Sequence, residues 1–317
     1  CAGCRTTMGR TNADVVFAAT ETSIINVETA RSLVLQAQSS PSQGLWRVIV
    51  VEDADRLGES GANALLKAIE EPPEHTVWLL CAPSPEDMIA TIRSRCRHLG
   101  LRIPTAAAVA DLLVREGVAT PEVALEAARA AQSHIGLARA LARDPQMRER
   151  RRAIITAPAS VRSVGEAVMA ADRLLETAKA QADAQVSERN AREKAELLRQ
   201  LGMDEGESAT KASRTMIRQL EEDQKRRSKR ALTDAIDRAL IDLLAIYRDV
   251  LMVQVGGDGE LINTDLADLV REIAQDSTPR QTLARVDHIE TARKRLVSNG
   301  NPLLVLEDMA ISLRPQA

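Results

Sequence analysis

The chain has 317 residues, enough for two or three domains with cores of their own. Hydrophobic residues make up 44% but aromatics only 1%, so the core must come from Ala, Leu, Val and Ile, which favours closely packed helices over aromatic-rich sheets. Net charge is -3, from 42 basic and 45 acidic residues, which excludes a global field drawing the protein to nucleic acid and leaves only local contacts.

No apolar run approaches the roughly 20 residues needed to span a bilayer, and no signal peptide opens the chain, so a cytoplasmic protein without membrane contact is expected. Residue 1 is Cys, which predicts a chain that begins inside a longer gene product. Cys1 and Cys4 form a C-x-x-C knuckle, half of a tetrahedral zinc site. Cys81 and Cys96 read as buried thiols rather than disulfide partners.

From about residue 14 to 103 short apolar runs alternate with helical ones, the rhythm of an α/β domain. The candidate strands are Asp14–Phe17, Val48–Val51, Thr76–Leu80 and His98–Leu101. Runs of this kind suit strands buried on both faces of a parallel sheet. Helical segments are predicted near 27–38, 60–70 and 86–92, and Pro104 marks a boundary. Residues 105–145 predict three short helices, broken at Gly117–Pro121 and at Gly136.

Residues 165–230 are dense in Glu, Lys, Arg, Gln and Ala. Their apolar positions (Val168, Leu174, Leu175, Val186, Leu197, Leu198, Leu201) hold no clean heptad, which predicts long solvated helices rather than a sustained coiled coil. Within them Lys225–Arg230 is a basic run, either a solvated helix face or a phosphate contact. Beyond 230, Leu232, Ile236, Leu240, Leu243, Leu244, Tyr247 and Leu251 trace one helix face. Further helices are predicted at 261–275, 279–298 and 302–313. The expected domains are therefore 1–103 (α/β), 104–150 (three helices), 151–230 (a charged helical insertion) and 231–317 (all-α).

Three motifs carry the chemistry. The run Arg47-Val-Ile-Val-Val-Glu-Asp-Ala-Asp55 delivers acids to a strand end, as a Walker B motif does when it holds Mg²⁺ through water and orients an attacking water. Here the pair is Glu52-Asp53, the reverse of the usual Asp-Glu order, so reach is wrong by about one methylene at both positions, an error of a size that can cost ~10²-fold. A capped strand end with solvent-facing acids explains the pair equally well. No Gly-Lys pair occurs in the 317 residues. The nearest approach to a phosphate loop, Gly9-Arg10-Thr11, has Arg for Lys and no preceding strand. The remaining motifs are Asn63-Ala-Leu-Leu-Lys-Ala-Ile-Glu-Glu-Pro-Pro73 and Ser94-Arg95-Cys96, the latter offering a planar guanidinium fork suited to phosphate oxygens.

The run Asn63–Pro73 followed by Ser94-Arg95-Cys96 is similar to the clamp-loader branch of the AAA+ proteins, and within it to the delta-prime family of bacterial DNA polymerase III. Ala292–Asn299 with Asn301–Glu307 resembles the closing helices of that family's collar. Cys1-Ala-Gly-Cys4 looks like the last two ligands of its four-cysteine zinc module. The charged segment 170–230 is longer than the basic family pattern implies and is unexplained by it.

The resemblance implies a partial AAA+ domain, a helical lid and an oligomerising collar. It implies that Arg95, with Ser94 and Cys96, acts as an arginine finger in trans on ATP held by a neighbouring subunit. It makes Glu52 and Asp53 a degenerate Walker B pair and Arg139 a sensor-2-like residue, all vestigial. Cys81-Ala-Pro-Ser84 stands where motor subunits carry a Thr or Asn sensor. The implied molecule does not itself hydrolyse ATP, and its polymerase (nucleotidyltransferase) label would come from membership of the holoenzyme. Its partners would be the gamma/tau and delta subunits and, through the complex, the sliding clamp and primed DNA in the replisome. With only two thiolates, stable zinc is not expected in this chain, and ATP would be bound by neighbours. Two alternatives stay open: a gamma/tau-type motor, and a helical scaffold without a replication role.

Overall fold

A computed structural model describes residues 1–18, 24–202 and 211–315. It divides into two compact units, 1–101 and 102–317, close to the boundary that Pro104 suggests.

The first unit opens with α1 (Ala2–Met8), then β1 (Val15–Ala18), α2 (Val27–Ala37), β2 (Arg47–Val51), α3 (Glu59–Glu70), β3 (Thr76–Leu80) and α4 (Ala90–Arg93). The strands form a parallel sheet in chain order, β1-β2-β3, with Val16 opposite Ile49 and Ile49 opposite Trp78. Successive side chains point to opposite faces. Ile49 and Val51 join Ala30 and Leu33 of α2 and Ala62 and Leu65 of α3 in one buried cluster, with Trp78 and Leu80 packed against it. Gly61 lets α3 close in: a Cβ there would stand 2.8 Å from the Ile25 carbonyl.

The other face is built of Val15, Phe17, Val48, Val50, Val77 and Leu79, and none of these is fully buried; Leu79 is 45% exposed. The expectation of burial on both faces is thus corrected. Both crossover helices lie on one side, and the apolar runs reflect a parallel sheet whose second face has no layer over it among the described residues. The predicted strand His98–Leu101 is also absent. The three described strands pair only with one another, so this segment has no ladder to join, and Leu99, Leu101 (94% exposed) and Ile103 face outward. The helix predicted at 86–92 is a 3₁₀ turn at Pro85–Asp87 followed by the single turn of α4.

The second unit is entirely helical. Helices α5 (Ala106–Arg115), α6 (Pro121–Ala130) and α7 (Ile135–Arg143) share a core rich in alanine, with Leu113 and Leu141 at its centre. Gly136 does not break the helices, since it lies inside α7. The chain turns instead at Gln132 and Ser133, both with positive φ, and the His134 imidazole caps α7 by accepting from the Leu137 amide.

A second core joins α8 (Pro145–Ser160), α9 (Val164–Gln200), α10 (Lys211–Gln254), α11 (Ala267–Gln275), α12 (Pro279–Val297) and α13 (Pro302–Ser312). The predicted face of α10 is confirmed, with Ile236, Leu240, Leu243 and Tyr247 buried. The expected boundary at 230/231 falls inside the continuous helix α10, and Ile155, Ala171 and Leu175 from before it belong to the same core.

Helices α9 and α10 are the long solvated pair expected, and α9 packs through a row made mostly of alanines: Ala167, Ala171, Leu175, Ala178, Ala182 and Val186. Further along, the contact between the two helices becomes polar. Arg227 donates to Asn190 Oδ1 (2.7 Å) and to Glu193 (2.8 Å), and Gln224 donates to the Asn190 carbonyl (2.9 Å). This accounts for part of the basic run: Arg226 pairs with Asp223, Arg230 with Asp234, and Lys229 donates to Asn299.

Candidate functional site

β2 carries Glu52 to the C-terminal edge of the sheet, where its amide donates to the Ala18 carbonyl (2.8 Å). The carboxylate does not stand free. Arg10 Nη2 donates to Glu52 Oε1 at 2.6 Å, and the same guanidinium lies 4.8 Å from the centre of the Phe17 ring, a cation–π contact. Arg10 is therefore held between the open sheet face and the acid. A cation bound at Glu52 would have to displace this guanidinium. The next residue, Asp53, adopts φ 53, a left-handed conformation that Asp tolerates better than most residues, and starts a 3₁₀ turn whose Ala54 amide donates to Cys81 (2.7 Å). Residue 81 is thereby fixed beside the strand end, in the loop that continues to Ser84. Ser84 Oγ caps the following turn by accepting from the Glu86 amide, and its hydrogen bond to Glu86 lowers that carboxyl's pKa.

The other two motifs meet each other. Pro72 and Pro73 end α3, since residues before proline avoid helical angles, and they leave Glu70 in the last helical turn. A carboxylate there faces the negative end of the helix dipole, and a cation beside it offsets the penalty. Arg95 supplies it: its Nε donates to Glu70 Oε1, while Nη1 donates to the Thr91 carbonyl (2.9 Å) and to Ser94 Oγ (3.3 Å). The Arg95 side chain remains 35% exposed. Ser94 Oγ in turn donates to the Thr91 carbonyl. Cys96 packs against the sheet core, and burial pushes its thiol pKa up, which makes it a poor nucleophile. Ser94 and Cys96 thus support the segment, and Arg95 is the group it presents.

Arg139 lies on α7 in the helical unit, in a bidentate pair with Glu116 (Nε and Nη2, both 3.0 Å). Cys1 and Cys4 are exposed with their sulfurs 3.4 Å apart. Among the described residues no group of three or more His, Cys, Asp or Glu could hold a metal, so these two thiols supply half of a tetrahedral donor set. Sequence reasoning missed Arg10 as the partner of Glu52 and Glu70 as the partner of Arg95. Glu70 stood within a quoted motif. Arg10 gave no signal, being 42 positions from the acid it binds.

A family model described as DNA polymerase III, delta subunit matches residues 1–105. This stretch holds all three motifs and both thiols. The delta-prime subunit of Escherichia coli K12 is 34% identical over 143 residues, covering 44% of this chain and 43% of that one. The delta-prime subunit of Pseudomonas aeruginosa is 37% identical over 102 residues, covering 32% and 31%. The gamma/tau subunit of Mycobacterium tuberculosis H37Rv is 38% identical over 89 residues, covering 28% and 15%. The chain spans less than half the length of each of these relatives. A gamma subunit-related protein of Thermotoga maritima aligns over 95% of this chain and 83% of its own, at 15% identity and a TM-score of 0.41. No helix among the described residues is long and apolar enough to cross a membrane.

Proposed function

We propose that the chain is a non-motor, delta-prime-type subunit of a bacterial DNA polymerase III clamp loader. Its part would be to help the complex place a sliding clamp on primed DNA, in the cytoplasm, alongside gamma/tau and delta subunits. Arg95 is its active group: a guanidinium held at the surface by half-exposed Glu70, the Thr91 carbonyl and Ser94 Oγ, which would exchange Glu70 for the phosphates of ATP on a neighbour. Phosphoryl transfer spreads negative charge over the transferred oxygens, and an arginine supplied in trans is worth ~10³–10⁵ in rate.

The observation that carries the non-motor assignment is the Arg10–Glu52 pair. In a motor subunit the acid at the end of this strand serves the metal of its own nucleotide. Here it is neutralised by an arginine and followed by Asp53 in a left-handed turn. The α/β unit would serve as the partial AAA+ domain, α5–α7 as the lid, and the core shared by α8–α13 as the collar. Cys1 and Cys4 offer two of the four donors that a zinc site needs, and no step depends on one.

The test is reconstitution with gamma/tau, delta and clamp. Arg95→Ala should lower clamp- and DNA-stimulated ATPase without lowering assembly. Unchanged ATPase in a fully assembled complex would remove the finger assignment.

A further inference from the structure

The helical unit holds a cavity of about 210 Å³ between α8, α9, α10 and α13. It exists because the walls are small: Ala153, Ala157 and Pro158 on α8 face Ala170 on α9, and Leu174, Leu243 and Met309 lie around them. An apolar cavity of ~150 Å³ suffices to bind benzene, so this one admits a phenyl, an indole or a branched alkyl group. Its charged lining is of one sign. No carboxylate contributes, and the two charged residues are Arg150 and Arg173. Arg150 is engaged by Asp144 (3.2 Å), whereas Arg173 makes no ion pair among the described residues. One turn before Arg173 on α9, on the same side of the helix, Met169 is 60% exposed and lies outside the cavity lining.

We propose that this cavity receives one bulky apolar side chain of a partner polypeptide that carries a carboxylate beside that anchor, with Arg173 taking the carboxylate and Met169 meeting the next apolar residue. The site is separate from the Arg95 surface and does not depend on its role.

Three probes separate the parts of the proposal on the full chain, with binding read by calorimetry. N-acetyltryptophan carries anchor and carboxylate, its amide carries the anchor alone, and acetyl-Leu-Trp-Asp amide adds the apolar neighbour. The acid should bind about two- to fivefold tighter than the neutral amide, the range of a solvent-exposed ion pair. The tripeptide should gain at least about threefold more, from a partly buried leucine. Arg173→Gln, a surface change that leaves the fold intact, should bring the acid to the affinity of the amide. Ala157→Leu should fill the cavity, abolish binding of all three and leave the melting temperature no lower. The proposal fails if neither tryptophan probe binds saturably, if acid and amide bind equally, or if a folded Ala157→Leu variant binds as before. A tripeptide no tighter than N-acetyltryptophan would overturn the polypeptide assignment.

Discussion

Removing Arg151 tests whether the helical unit is one cooperative structure. Arg151 lies on α8, and its side chain is 10% exposed. Its Nε donates to Asp242 on α10 at 2.9 Å, and its Nη2 donates to Asn263 Oδ1 at 2.7 Å. Asn263 in turn donates from its backbone and side-chain amides to the fully buried Asp249, at 2.8 and 2.9 Å. One guanidinium thus ties α8 to α10 and to the loop before α11. Arg151→Ala leaves the buried Asp242 without its hydrogen-bonded cation, with only the charge of Arg238 still near it, and breaking such a pair from one side costs about 3–5 kcal/mol.

For a unit of this size that corresponds to a fall of roughly 6–20 °C in melting temperature. Near-ultraviolet circular dichroism follows it, because the sole tyrosine, Tyr247, is buried in this core and both tryptophans lie in the other unit. The pH dependence has a definite sign. Burial already raises the Asp242 pKa against the pull of Arg151, and removing Arg151 raises it further. An acid with a raised folded pKa contributes stability at low pH that is lost as pH rises through that value. The deficit of the variant should therefore be full at neutral pH and shrink in mildly acid buffer. Replacing both partners, Arg151→Met with Asp242→Leu, should recover most of the loss. A single-variant cost below about 1 kcal/mol, or a double variant no more stable than the single one, would refute the reasoning.

Two further outcomes follow from other polar clusters. Asp14 is buried and accepts from the amides of Ser42, Gln43 and Gly44, and these hold its carboxyl well below the usual carboxylate range. Its contribution is present above the ordinary carboxylate pKa and lost as pH falls through the depressed one, so Asp14→Asn should speed amide exchange at 42–44 at neutral pH; unchanged exchange would count against the clip. In the α9–α10 pair, Glu193→Ala should remove the carboxylate from Arg227, whose side chain is 12% exposed, and leave its hydrogen bond to Asn190, at a cost of about 1–3 kcal/mol. Amide exchange around 190 and 227 measures it, and unaltered protection would show that the polar layer does not hold the register.

The sequence revealed the parts whose signal is local. Val48–Val51 and Thr76–Leu80 are strands within a residue of expectation, and the face from Ile236 to Tyr247 is buried as its spacing implies. The α9–α10 seam was hidden because it is made mostly of alanines, which a search for large apolar residues passes over. Strand status for His98–Leu101 failed because a strand depends on a neighbour, and apolar composition does not supply one. In the site, the three motifs were legible, while their pairing was not. Glu70 with Arg95 and Arg10 with Glu52 are contacts made by the fold, and each changes how its motif reads: one arginine is presented and one acid is neutralised.

The central claim is that Arg95 acts on a neighbour's nucleotide. The most direct measurement is the stimulated ATPase of the reconstituted complex carrying Arg95→Ala and, separately, Arg95→Lys. The Arg95–Glu70 pair is half exposed and worth at most about 1 kcal/mol, so neither variant should lose its fold. On the proposed reading, hydrolysis at the neighbour's site should fall by ~10³-fold or more with Ala, and Lys should not restore it, because an ammonium lacks the planar fork. ATPase and clamp loading at wild-type levels with Arg95→Ala in an intact complex would contradict the account.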